Sequence, residues 1–152
     1  MWADLGKDKS ILVVDDDKTI LRSLQAVLEL EGYYVDTAES GQEAIEKSDS
    51  KLYNLALLDI KLPDMQGTDL LTKMHESMPK MMKIMVTGHP ELENAVESLN
   101  MGADAYLMKP VSPRILLRTV KEKLTEQEEA AEMSEDKVRK WIETRVRKLK
   151  NG

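Results

Sequence analysis

Cysteine does not occur in the 152 residues, which removes disulfides, thiolate metal sites and thiol nucleophiles from consideration. Phenylalanine is missing too, while ten methionines are present, and this combination points to a core filled by flexible thioether side chains. No apolar run approaches the roughly 18 residues of a membrane span, and the stretch from Met1 to Ser10 is short, polar and acid-containing, unlike a secretory signal. Both features point to the cytoplasm. The formal net charge of -6 repels phosphate backbones, which argues against a whole-protein nucleic-acid binder. No internal repeat is evident.

Apolar residues at 41 % and charged residues at 33 % suit a soluble chain with one sizeable core. The apolar pattern alternates between two periods. Ile11 to Val14, Tyr33 to Thr37, Asn54 to Leu58, Lys83 to Val86 and Ala105 to Met108 read as short buried strands. Between them, Ile20, Leu21, Leu24 and Leu28 recur at helical spacing, as do Leu70, Leu71 and Met74, then Leu92, Ala95, Val96 and Leu99. Ser40-Gly-Gln-Glu43 has capping-box spacing, and Pro113 suits an early position in a fifth helix through Leu116, Val120 and Leu124. Five strand–helix units imply an α/β fold, with a parallel sheet covered on both faces and joined by right-handed crossovers. Functional residues of such open sheets gather beyond the carboxyl ends of the strands.

Those ends carry the polar chemistry. Asp15 and Asp16 follow the first strand, Asp59 the third, Thr87 the fourth and Lys109 the fifth. Three carboxylates on one rim repel unless a cation sits among them, and an all-oxygen set suits Mg2+. Lys109 offers a point charge and Thr87 a hydroxyl donor for a tetrahedral oxyanion, leaving Asp59 as a nucleophile toward a phosphoryl group. Asp17 and Lys18 read as the start of a helix. A lysine directly before Pro110 has no use in helix capping.

Four segments in order, Ile-Leu-Val-Val-Asp15-Asp16, Leu-Leu-Asp59-Ile-Lys-Leu-Pro63-Asp-Met-Gln-Gly67, Ile-Met-Val-Thr87-Gly and Gly102-Ala-Asp-Ala-Tyr106-Leu-Met-Lys109-Pro110, resemble the CheY-like receiver domain of two-component response regulators. The resemblance covers about residues 10 to 125. It implies a flavodoxin-like, doubly wound three-layer α/β/α fold with strand order 2-1-3-4-5. It further implies that Asp59 accepts phosphate from a sensor histidine kinase or phosphotransfer protein, without conventional enzymatic turnover. Asp15, Asp16, Asp59 and the carbonyl of Lys61 would hold Mg2+, and Lys109 would contact the phosphoryl group. Thr87 and Tyr106 match the switch pair, which biases a partner or homodimer surface around the fourth helix, fifth strand and fifth helix. Lys61 and His89 occupy positions that tune access of the hydrolytic water. The long cation at Lys61 suggests a durable aspartyl phosphate, whereas His89 reads equally well as a solvated loop residue.

The chain divides into an N-terminal segment 1–9, a receiver at 10–125 and a charged amphipathic tail at 126–152, with the fifth helix ending near Leu124. In the tail, six acids between Glu126 and Asp136 precede seven bases between Lys137 and Lys150. Val138, Trp141, Ile142, Val146 and Leu149 share one face there, a surface for a partner or a second copy. Such a helix extends the fifth helix, pairs as a short coiled coil, docks on a partner, lies on an anionic surface, or packs back on its own domain. Direct DNA binding is not expected, because no second helix completes a helix-turn-helix pair. Two rivals to the receiver are weighed. Asp15 and Asp17 also fit the Asp-x-Asp-x-Thr motif of haloacid-dehalogenase-type phosphohydrolases, and a receiver-like scaffold need never be phosphorylated.

Overall fold

Ile11, Leu12, Val13 and Val14 are all essentially inaccessible to water, and this two-sided burial is what their unbroken apolar run requires of a central strand. The computed structural model describes residues 8–88 and 97–151. In it, β1 (Ser10–Val14), β2 (Tyr34–Ala38), β3 (Leu55–Asp59), β4 (Met82–Thr87) and β5 (Ala105–Met108) form one parallel sheet in the order β2-β1-β3-β4-β5. The helices are α1 (Lys18–Leu30), α2 (Gly41–Ser50), α3 (Gly67–Ser77), a described helical turn at 97–100 (α4), and α5 (Pro113–Asn151).

Strand alternation sorts the core into two layers. Leu12, Val14, Ala56, Leu58 and Met85 point to one face and pack with Leu70, Leu71 and Met74 of α3. Ile11, Val13, Leu57, Ile84 and Val86 point to the other, where Leu21, Leu24 and Leu28 of α1 meet Leu116, Val120 and Leu124 of α5. The three-layer architecture and strand order are those expected from the sequence. The methionines do fill the core: Met74, Met81 and Met85 are buried in the first layer.

The boundaries have local causes. Asp17 caps α1, its carboxylate accepting from the backbone N–H groups of Thr19 and Ile20. Ser40 caps α2 by accepting from the Glu43 N–H, and Glu43 reaches back to the Glu39 N–H. Gly32 and Gly102, at φ +96° and +112°, hold the left-handed conformation that lets the chain leave α1 and α4.

The fifth helix departs from its expected end near Leu124 and runs unbroken to Asn151. Neither proline nor glycine occurs between Arg114 and Asn151, so nothing in the chain stops it. Its tail does not fold back on the domain, and every residue from 129 to 151 is exposed. Gln127 and Glu128 anchor its middle, Gln127 donating to the carbonyls of Asn54 and Lys80 at 2.9 and 2.8 Å and Glu128 pairing with the Lys9 ammonium at 2.9 Å. Among the described residues, no helix is long and apolar enough to cross a membrane.

Candidate functional site

The carboxyl ends of β1 and β3 are adjacent in the sheet, and this register carries Asp15 and Asp59 to one rim. Asp16 joins them. One carboxylate oxygen from each of the three lies within 4.8 Å of the others. Asp15 and Asp59 are buried, while Asp16 faces solvent, so the cluster is open on one side. Asp17 turns away to cap α1, which removes the second aspartate that a phosphohydrolase reading of Asp15 and Asp17 requires.

Lys109 enters from the end of β5. Its ammonium donates to Asp15 Oδ2 at 2.5 Å and lies 3.3 Å from Asp59 Oδ2. The Lys109 N–H donates to the Thr87 carbonyl at 2.7 Å, tying the ends of β4 and β5 together, and the following peptide bond to Pro110 is cis.

Burial raises the Asp59 carboxyl above the usual range; the charge of Asp15 pushes the same way, against Lys109 and an N–H bond from Lys61. Burial alone would lower Lys109, but its hydrogen bond to Asp15 and the nearby charges of Asp59 and Asp15 outweigh it and raise the ammonium. A carboxylate held near neutrality of charge by one lysine is a competent nucleophile, and an all-oxygen cluster open to solvent fits a hard divalent cation.

Thr87 is fully buried at the end of β4. It follows Met85 by two residues, so it shares a sheet face with Met85 and with the half-buried Tyr106, which packs on that layer. Lys61 has an exposed side chain, and its backbone pairs with Gln66 in an isolated bridge that closes the loop after β3. His89 lies outside the described residues, as do Leu92, Ala95 and Val96 of the expected fourth helix.

Three supporting features escape a reading of the sequence. A Cβ on Gly67 would stand 2.0 Å from the Asp59 carbonyl oxygen, so only glycine lets α3 begin against the strand that carries the nucleophile. Asp64 accepts from the N–H groups of Gly41 and Gln42, each at 2.9 Å, and thereby pins the β3–α3 loop to the start of α2. Pro63 and Gly67 signal a loop there, but the Asp64 partner is 22 and 23 residues away and no local pattern announces it. Lys83 is only 1 % exposed, and its ammonium donates to the Met78 carbonyl at 2.6 Å. Burial pushes it below the usual lysine range, opposed by Asp104.

Comparison with known proteins is consistent across methods. The response regulator receiver domain model matches residues 11–121. A receiver domain protein (CheY-like) from Methanospirillum hungatei JF-1 is 58 % identical and superposes with a TM-score of 0.78, over 80 % of this chain and 98 % of that one. The beryllofluoride-activated NtrC4 receiver domain dimer is 37 % identical with a TM-score of 0.76, over 79 % and 99 %. The transcriptional regulatory protein SrrA of Staphylococcus aureus (strain NCTC 8325) is 39 % identical over 142 residues, 93 % of this chain and 58 % of SrrA. The chain spans between 30 and 58 % of the length of such curated relatives.

Proposed function

The chain belongs to the response regulator receiver domain family, and on that footing we propose that it is a phosphorylation-activated switch of a two-component phosphorelay. A sensor histidine kinase or phosphotransfer protein supplies the phosphoryl group. The observation that carries this reading is the meeting of Asp15, Asp16 and Asp59 within 4.8 Å, with the Lys109 ammonium 3.3 Å from Asp59.

In the reaction, an Asp59 carboxylate oxygen attacks phosphorus while the bond from phosphorus to the donor's leaving group breaks, giving an aspartyl phosphate. Asp15, Asp16 and Asp59, with the Lys61 carbonyl, would hold Mg2+, which would supply positive charge for the phosphoryl oxygens. Lys109 already spans Asp15 and Asp59, so the added negative charge on Asp59 draws its ammonium from the first toward the second. The Thr87 hydroxyl is drawn the same way and Tyr106 follows it inward, biasing the surface of α4, β5 and α5 between two states. Lys61 shields the phosphoryl group from hydrolytic water.

Incubation with acetyl phosphate and magnesium, followed by mass spectrometry, is expected to map one phosphoryl group to Asp59 and none in Asp59→Asn. Equal modification of both proteins refutes the assignment, and no adduct on the wild type leaves a receiver-like scaffold. Lys61→Ala is expected to lose the phosphoryl group faster than the wild type; an unchanged rate ends the shielding role.

A further inference from the structure

The face of α5 that packs on the receiver does not stop where the receiver does. Leu116, Val120 and Leu124 are buried against α1 and the sheet. At the same three- and four-residue spacing come Gln127, Ala131 and Ser134, then Val138, Ile142, Val146 and Leu149, with Trp141 beside them. Beyond Gln127 no receiver surface lies beneath this stripe: Trp141 is 59 % and Leu149 83 % exposed. Arg145 stacks on the Trp141 ring at 4.9 Å from its centroid, which covers only part of the indole. From Gln127 to Asn151 the rod extends about 36 Å at 1.5 Å per residue. A helical stripe of this length needs an apolar partner for its stability.

The charges say which partner. The six acids of 126–136 and the seven bases of 137–150 are segregated along the rod, with Glu143 the one acid among the bases. A parallel second copy would set acid on acid and base on base. An antiparallel second copy, centred at Val138, sets Glu126 against Lys150, Glu129 against Arg147 and Asp136 against Lys140, while Val138 meets its own copy at the seam. Flanking charges of this kind select both partner and direction in helix pairs.

We propose that the distal half of α5, residues 127–150, is a self-recognition surface that pairs two copies of this chain as an antiparallel coiled coil. The pairing requires no phosphoryl group, so it stands apart from the switch surface around β5. It holds two receivers at opposite ends of a common rod.

Analytical ultracentrifugation of the full chain, with and without beryllofluoride, is expected to show a dimer in both states. Glu126→Lys/Glu129→Lys is expected to be monomeric, as is Arg147→Glu/Lys150→Glu, and an equimolar mixture of the two is expected to recover the dimer. Ile142→Glu is expected to lose the dimer while the thermal transition of the receiver core is unchanged. Because the chain has no native cysteine, Asn151→Cys takes a single spin label. Labels in an antiparallel pair sit about 40 Å apart along the rod, against direct adjacency in a parallel one. A monomeric wild type at tens of micromolar, a dimer that survives either charge reversal, or adjacent labels would each overturn the proposal.

Discussion

The Lys109 ammonium is held more closely by Asp15, at 2.5 Å, than by Asp59, at 3.3 Å. The lysine therefore sets one positive charge between two buried carboxylates, and its position is divided between a fixed partner and the reactive one. Any chemistry that adds charge to Asp59 changes that division, and the backbone hydrogen bond from the Lys109 N–H to the Thr87 carbonyl ties it to the sheet edge.

Replacing Lys109 with methionine strips the countercharge from a buried pair. The loss is expected to be about 3 kcal/mol at neutral pH, near the lower end for a broken buried ion pair, because the lysine is 19 % exposed. The sign with pH follows from Asp59, whose carboxyl is already raised. Without the lysine it rises further, so the penalty grows as pH climbs above the ordinary carboxylate range of about 4 and fades below it. Urea midpoints of both proteins at acidic and neutral pH test this, and added magnesium is expected to narrow the difference at neutral pH.

Gly67→Ala places a methyl group where the Asp59 carbonyl stands. Relief requires α3 to back away from β3, at about 1–3 kcal/mol or more. Thermal denaturation should show a clear fall in midpoint, and phosphorylation by acetyl phosphate should slow, because the loop carrying Lys61 moves with the helix.

Asp16→Asn and Asp17→Asn separate two neighbouring carboxylates. Asp16 belongs to the acidic cluster and is exposed, so its loss is expected to weaken magnesium binding tenfold or more with little change in stability. Asp17→Asn keeps a good cap, so its stability and magnesium affinity are both expected to stay close to wild type. Calorimetric titration with magnesium distinguishes them.

At the β2 edge of the sheet, opposite β5, the Tyr53 hydroxyl donates to Asp36 at 2.6 Å and Lys51 lies 3.1 Å from the same oxygen. The Tyr53 hydrogen bond lowers the Asp36 carboxyl below its usual range, against some burial and with help from Lys51. A lowered carboxylate adds stability that is complete above about pH 4 and is lost as pH falls through the folded value. Asp36→Asn is expected to cost on the order of 1 kcal/mol at pH 7, discounted for partial exposure, and almost nothing near pH 2. Denaturant titrations at the two pH values check it.

The central strands and the site were legible because both signals are local. Each buried run ends abruptly at a residue whose charge or hydroxyl the run cannot explain, as with Val14 before Asp15 and Leu58 before Asp59. Contacts between distant segments were not legible. Asp64 looks like an ordinary loop acid until its helix partner is seen, and Lys83 looks like the polar start of a strand although it is buried. The fifth helix was cut short in the reading because its burial pattern changes near Leu124. Burial reports where a partner surface ends, whereas helix termination depends on Gly, Pro and caps, and none of these occurs before Asn151.

One continuous α5 also sets a mechanical gain. Its base is clamped by Leu116, Val120 and Leu124, and Glu128 is the last residue tied to the receiver before about 35 Å of helix that the receiver does not touch. A tilt of about 5° at the clamp therefore sweeps the far end through about 3 Å, by the same rise per residue. A small shift at the clamp thus reaches Leu149 as a displacement comparable to the width of a side chain.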